Sequence, residues 1–152
     1  MMYIEKPKDF SMERQGAVCL VESNGDFLFL KRAPHCHSGG LWSIAPGGKL
    51  EKGEIPLQGM LREVAEETQI SLLPDQLKFL KILYYRFPDM EYALHYFYAH
   101  FSSKPTIHLS HEHTEFCWYP LSSALQLPLM RNSSESIHYF LTHLKIINSD
   151  SQ

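Results

Sequence analysis

The stretch PGGKLEKGEIPLQGMLREVAEETQI, Pro46 to Ile70, decides the reading of this chain. From Ile55 or Pro56 to about Thr68 it has the pattern of a helix. Pro56 sits in the first turn, where its missing N–H costs nothing, and Glu54 stands at the positive end of the helix dipole. At about 100° per residue, Leu57, Leu61, Val64 and Thr68 share one face, and Glu63, Glu66 and Glu67 gather on the neighbouring one. Like charges three and four residues apart cost roughly 0.2–0.5 kcal/mol per pair, and Glu66 and Glu67 also meet the negative end of the dipole. Something positive must offset this. Arg62 supplies one charge from the weaker orientation, four residues ahead of Glu66. Gly59, a poor helix former on the acidic side, is read as leaving room there. Grouped carboxylates are hard ligands suited to Mg2+ or Mn2+, and such ions usually hold substrate phosphates. Phosphate chemistry is the first expectation.

Gly48, Glu54, Arg62, Glu63, Val64, Glu66, Glu67 and Ile70 stand at the spacing of the Nudix box, G-x5-E-x7-R-E-U-x-E-E-x-G-U with U aliphatic, which the segment resembles. With background frequencies near 7%, six fixed identities should coincide by chance in such a chain on the order of once in a hundred thousand. The competing reading is a solvated, Glu-rich surface helix. One specified position departs: Gln69 stands where the family has glycine. Just past a helix end that glycine serves a left-handed conformation, so either Gln69 accepts that strain or the helix ends differently.

Composition sets the frame. The 152 residues are 44% hydrophobic and 20% charged, ordinary for one globular domain. A net charge of −3 and a pI near 6.3 provide no general basic field, which argues against a protein that grips nucleic-acid backbone. No signal-like apolar core and no membrane-span-length apolar run are visible, so a cytoplasmic location is expected and a membrane partner is not. A homodimer is left open. Cys19, Cys36 and Cys117 lack paired spacing and read as free thiols. His35-x-His37 and His111-x-His113 lack finger-like partners and read as loop or pocket residues rather than zinc ligands.

Residues 1–15 mix charges with Pro7 and read as a loosely held arm with at most a short edge strand; residues 16–147 read as the domain and 148–152 as a tail. Ala17–Val21 and Phe27–Leu30 flank the turn Asn24-Gly25 as a hairpin. Lys31-Arg32 follow, either as edge-strand charges or in reach of a substrate phosphate. Leu41–Ala45 reads as a strand leading into the glycines, with Trp42 as a packing residue. Leu77–Phe87 and Tyr92–Phe101 read as a second hairpin whose aromatics are mostly core, one or two being available to a flat base. A polar loop to His113, a strand over Glu115–Leu121, a short element over Ser122–Leu127 and a helix from about Ser133, with Ile137, Phe140, Leu141 and Leu144 on its apolar face, complete the chain. Ser133 is read as its cap.

Further segments extend the resemblance over nearly the whole chain from about Gly16. HSGGLWSIAPGGK is similar to the family's glycine, tryptophan and PGG approach to the helix, and Ser110–Trp118 is similar to an S-x-E-H-x-x-F/Y-x-W segment of diadenosine tetraphosphate and dihydroneopterin triphosphate hydrolases. The resemblance implies an α/β fold, the Nudix-type α/β/α sandwich with a mixed sheet, and Mg2+- or Mn2+-dependent hydrolysis of a nucleoside diphosphate linked to another group. The partner implied is a small nucleotide or other diphosphate, with a nucleoside triphosphate or dinucleoside polyphosphate among the choices. It makes Glu63 and Glu67 principal metal ligands, with the Gly48 carbonyl as a further one and Glu66 either as another ligand or as a group behind the ligands. Arg62 then orients the glutamates, and Glu54 holds the loop or helix start. Glu63, Glu112 and Glu115 are the candidate bases, and Arg32, Gly47 and Lys49 are candidate substrate-binding residues. A nucleotide-sensing module without turnover is the alternative, and Gln69 is the feature that leans toward it.

Overall fold

The computed structural model describes residues 1–144. Eight strands form one sheet: β1 (Met2–Tyr3), β2 (Gln15–Ser23), β3 (Asp26–Arg32), β4 (Trp42–Ile44), β5 (Gly47–Lys49), β6 (Lys78–Arg86), β7 (Glu91–His100) and β8 (His113–Tyr119). The helices are α1 (Pro56–Thr68), the single turn α2 (Leu121–Ala124) and α3 (Ser133–His143), with a 3-10 turn at Pro74–Gln76. Neighbours run β1-β6-β7-β2-β3-β4, while β5 also pairs with β2 and β8 with β3. β2 and β7 are parallel from Gln15 opposite Ala93 to Glu22 opposite His100, and the other strand pairings are antiparallel, so the sheet is mixed as expected.

Alternation along the strands sends side chains into two cores. Phe27 and Phe29 of β3 join Leu20, Tyr85, Tyr96, Ile137 and Phe140 on one face. Leu28 and Leu30 join Cys19, Phe97, Met60 and Val64 on the other. Burial on both faces explains why β2 and β3 read as nearly continuous apolar runs. The layers are therefore α3 with α2, the sheet, and α1. Trp42 packs against the first core, as read from the sequence, and its backbone is bonded to Pro128 and Met130.

Several boundaries differ from expectation for physical reasons. The N-terminal arm is docked rather than loose. β1 pairs with β6, the Met2 N–H donates to Glu135, the Ser11 N–H donates to Glu91, and Phe10 is buried edge-on against Tyr84 with Arg86 over its ring. Its partners lie more than 70 residues away, outside any local pattern. β8 begins at His113 and ends at Tyr119, because pairing with β3 sets its limits. Ser133 is the first residue of α3 and not its cap; Asn132 occupies the cap position without a side-chain cap bond. The 147/148 boundary and the tail lie outside the described residues. Among the described residues no helix is long and apolar enough to cross a membrane.

Candidate active site

Helix α1 is placed by its own sequence and by what lies over it. Pro56 opens it from an extended Ile55, with no side-chain cap, and Gln69 closes it in the left-handed region at φ 61°, ψ 22°, donating its N–H to Ala65. Gln69 thus takes the conformation that the motif glycine serves, and the helix end is kept. The buried face is Met60, Val64 and Thr68 together with Glu63 and Glu67, while Leu57 and Leu61 are only partly covered. The acidic stripe is not a solvated face: the side chains of Glu63 and Glu67 are 11% and 4% exposed, against 58% for Glu66.

What covers them is β5. Pairing with β2 sets Gly48 opposite Ala17 and Gly47 opposite Val18, which lays the glycine backbone across the helix. The Gly47 N–H donates to Glu67 Oε1 at 2.8 Å. A Cβ on Gly48 would fall 2.5 Å from both carboxylate oxygens of Glu63. Glycine here is required by a carboxylate packed against main chain. Gly59 has a different part from the one expected: a Cβ there would strike the Leu50 side chain and come 2.9 Å from Glu54 Oε1. It admits the preceding loop to the helix instead of leaving space for an ion.

Arg62 ties these parts together. Nε and Nη2 donate to the two oxygens of Glu54 at 2.8 and 2.9 Å, Nη1 donates to Glu63 Oε1 at 2.8 Å and to Glu66 Oε2 at 3.3 Å, and Nη2 also reaches the Lys49 carbonyl at 3.1 Å. Its fork holds Glu54 down to a pKa of about 2, with the Glu51 N–H assisting. Glu54 therefore acts through Arg62 and the loop rather than as a helix cap. Burial raises the pKa of Glu63, against the pull of Arg62. Burial also pushes Glu67 up to about 8; the Gly47 N–H opposes this, while Glu63 and Glu112 add to it.

The cleft beside α1, about 1780 Å3, brings together Arg32, Gly47, Gly48, Lys49, Arg62, Glu63, Glu66, Glu67 and Glu112. Arg32 donates to the His37 carbonyl and faces Glu112 at 3.5 Å, so it is a wall residue tied to the 110–112 loop. Lys49 belongs to the lining, and its carbonyl holds Arg62. Glu115 is not brought to the cleft: it is exposed on β8 and paired with Lys31 at 3.0 Å. Glu112 is the acid this loop contributes. His37, His111 and His113 lie in the lining, in line with their reading as pocket residues, and the His35 and His111 rings stack at 6.1 Å. The far wall, from Met90 and Tyr92 to Arg131, was not assigned from sequence apart from the possibility of an aromatic. No local motif marks it, because it joins a hairpin turn to the loop before α3.

Among the described residues no three His, Cys, Asp or Glu side chains form a ready-made metal cage. The donors are nonetheless of one chemical kind. Two buried carboxylates, one of them short of positive charge, fit a hard divalent cation better than a soft one.

A family model of the NUDIX domain matches residues 12–140, and the chain belongs to that family. An 8-oxo-dGTP diphosphatase of Proteus vulgaris is 35% identical over 82 residues, 54% of this chain and 69% of that protein. A CTP pyrophosphohydrolase of Escherichia coli (strain K12) is 29% identical over 113 residues, 72% of this chain and 78% of that one. Among solved structures, the MutT protein from Methanosarcina mazei Go1 aligns with a TM-score of 0.73 at 25% identity, covering 89% of this chain and 99% of its own. A C. elegans Ap4A hydrolase aligns at 0.69 and 22%, covering 87% and 98%, a likeness of fold. The protein is thus an enzyme acting on phosphoanhydride bonds, in a family that acts on nucleoside diphosphate derivatives and generally uses divalent metals such as Mg2+ or Mn2+.

Proposed function

We propose that this chain is a Mg2+- or Mn2+-dependent pyrophosphohydrolase whose substrate is a nucleoside triphosphate, with a dinucleoside polyphosphate as the next choice. The observation that carries the reading is the pair of buried carboxylates, Glu63 and Glu67, held under the glycine backbone of β5. Glu63, Glu67 and the Gly48 carbonyl would hold the cation, with Glu66 as a further ligand. A cation there would neutralise charge on the phosphoryl oxygens and acidify the attacking water. The remaining work belongs to the chain. Arg62 fixes the carboxylates, Lys49 and Arg32 offer positive charge along the wall, and Glu112, 46% exposed at the cleft, would take the proton of the water. The water oxygen bonds to phosphorus as the bridging P–O bond breaks, and the leaving phosphate or nucleotide carries away that electron pair. The triphosphate comes before the dinucleoside compound because the curated relatives named above are named for 8-oxo-dGTP and CTP.

The test is release of phosphate, pyrophosphate and nucleotide from a panel of canonical and oxidised nucleoside triphosphates, diadenosine tetraphosphate and nucleotide sugars, with Mg2+, Mn2+ or chelator. Metal-dependent, selective turnover of one compound is expected. Glu67→Gln should lose more than about tenfold of kcat while still folding. Near-normal turnover by that variant, or turnover indifferent to chelator, would overturn the assignment.

A further inference from the structure

His113 is buried, its side chain only 2% exposed, and its Nδ1 is one of two buried side-chain polar atoms among the described residues without a hydrogen-bond partner. Such an atom destabilises the fold unless something answers it, and Glu67 Oε2 stands 3.8 Å from it. The other oxygen of Glu67 already accepts the Gly47 N–H. A register shift between Lys31 and Arg32 brings His113 here: β8 pairs Glu115 with Lys31 but His113 with Arg32, and the extra residue turns His113 inward while Glu115 stays in solvent. The His113 N–H donates to the Ser110 carbonyl at 3.3 Å, which anchors the start of the strand.

We propose that His113 is a positioning residue whose Nδ1–H donates to Glu67 Oε2 and, together with the Gly47 N–H, sets the plane of that carboxylate for a divalent cation. The inference rests on the metal-dependent reading above. Against the ionised Glu67 that a cation would bind, a bare Nδ1 would set lone pair against lone pair, so the Nδ1–H tautomer is the one that state accepts. Closing 3.8 Å to a hydrogen bond takes a shift of under about 1 Å, within the reach of a carboxylate turning to meet an ion. Each Glu67 oxygen then spends one lone pair on the protein and keeps one for the cation. Donors behind a ligating carboxylate typically contribute about tenfold to a hundredfold in metal affinity.

Two measurements test this. In the wild type with Mg2+ bound, 15N spectra of the histidine rings should show His113 protonated at Nδ1; the Nε2–H tautomer there would overturn the proposal. Mn2+ titrations followed by electron paramagnetic resonance should show His113→Leu weakened by about tenfold or more and His113→Asn, which keeps a donor near Nδ1, within about threefold of wild type. Equal affinity in all three folded proteins, or equal loss in both variants, would overturn it. Should His113→Leu not fold, the tautomer and the asparagine variant decide. A wild type that binds no Mn2+ would overturn the metal reading and this inference together, whereas wild-type binding that His113→Leu leaves unchanged would overturn the inference alone.

Discussion

Gln69 shows how a single side chain meets a demand made by a motif. Its φ of 61° is one that glycine accepts freely and that costs other residues about 1–2 kcal/mol. Gln69→Gly should therefore raise Tm by about 2 °C, the relief being partly offset by the greater freedom of glycine in the unfolded chain, with kcat unchanged. A melting curve and a rate assay check both halves, and an activity gain would mean that Gln69 disturbs the site. Glu22 is the other residue-scale case. Burial alone would raise its pKa, yet Tyr98, the Gly25 N–H and His100 lower it below the usual 4.5. A depressed carboxylate stabilises the fold fully above its unfolded value and loses that contribution as pH falls through the folded one. Glu22→Gln should cost about 1–3 kcal/mol at pH 7 and progressively less below pH 4.5, read from urea denaturation across that range. A cost independent of pH would show that charge has no part in it.

At the scale of the element, α1 and the loop before it form one unit because Arg62 joins them. A lysine keeps the charge but not the fork that engages both Glu54 oxygens, Glu63 and the Lys49 carbonyl together. Arg62→Lys should lower kcat by about tenfold to a hundredfold through misplaced carboxylates, with a much smaller loss of stability. Steady-state kinetics beside a thermal melt would separate the two, and unchanged kcat would reduce Arg62 to a surface ion pair. The glycines at 48 and 59 belong to the same scale. The first lets β5 lie on Glu63, the second lets Leu50 and Glu54 lie on the helix, and both are contacts between elements rather than properties of the helix alone.

For the whole molecule, the sheet is held between two cores, and the site lies on the α1 side of it. Phe140 of α3 is buried on the opposite face, against Tyr96 at 5.0 Å between ring centroids. Phe140→Ala should cost about 3–5 kcal/mol in urea denaturation and leave KM and kcat of the folded fraction within about twofold. A large change in kcat with little loss of stability would show that the two layers are coupled.

Much of this was legible in the sequence because it is local. Helix periodicity, the turn at Asn24-Gly25, alternation in the strands and the spacing of Glu54, Arg62, Glu63, Glu66 and Glu67 depend on neighbours along the chain, so the elements and the acidic stripe could be read from them, and the fold class followed from the family resemblance that the spacing carries. What escaped depends on residues brought together from afar. Docking of the arm through Phe10, exclusion of Glu115, the inward turn of His113 and the contrast between buried Glu67 and exposed Glu66 are all set by which strand pairs with which and in what register. The sequence by itself determined which acids are present and on which helix. Only the tertiary structure decided which of them lie under the β5 backbone, because desolvation and orientation come from groups supplied by other elements.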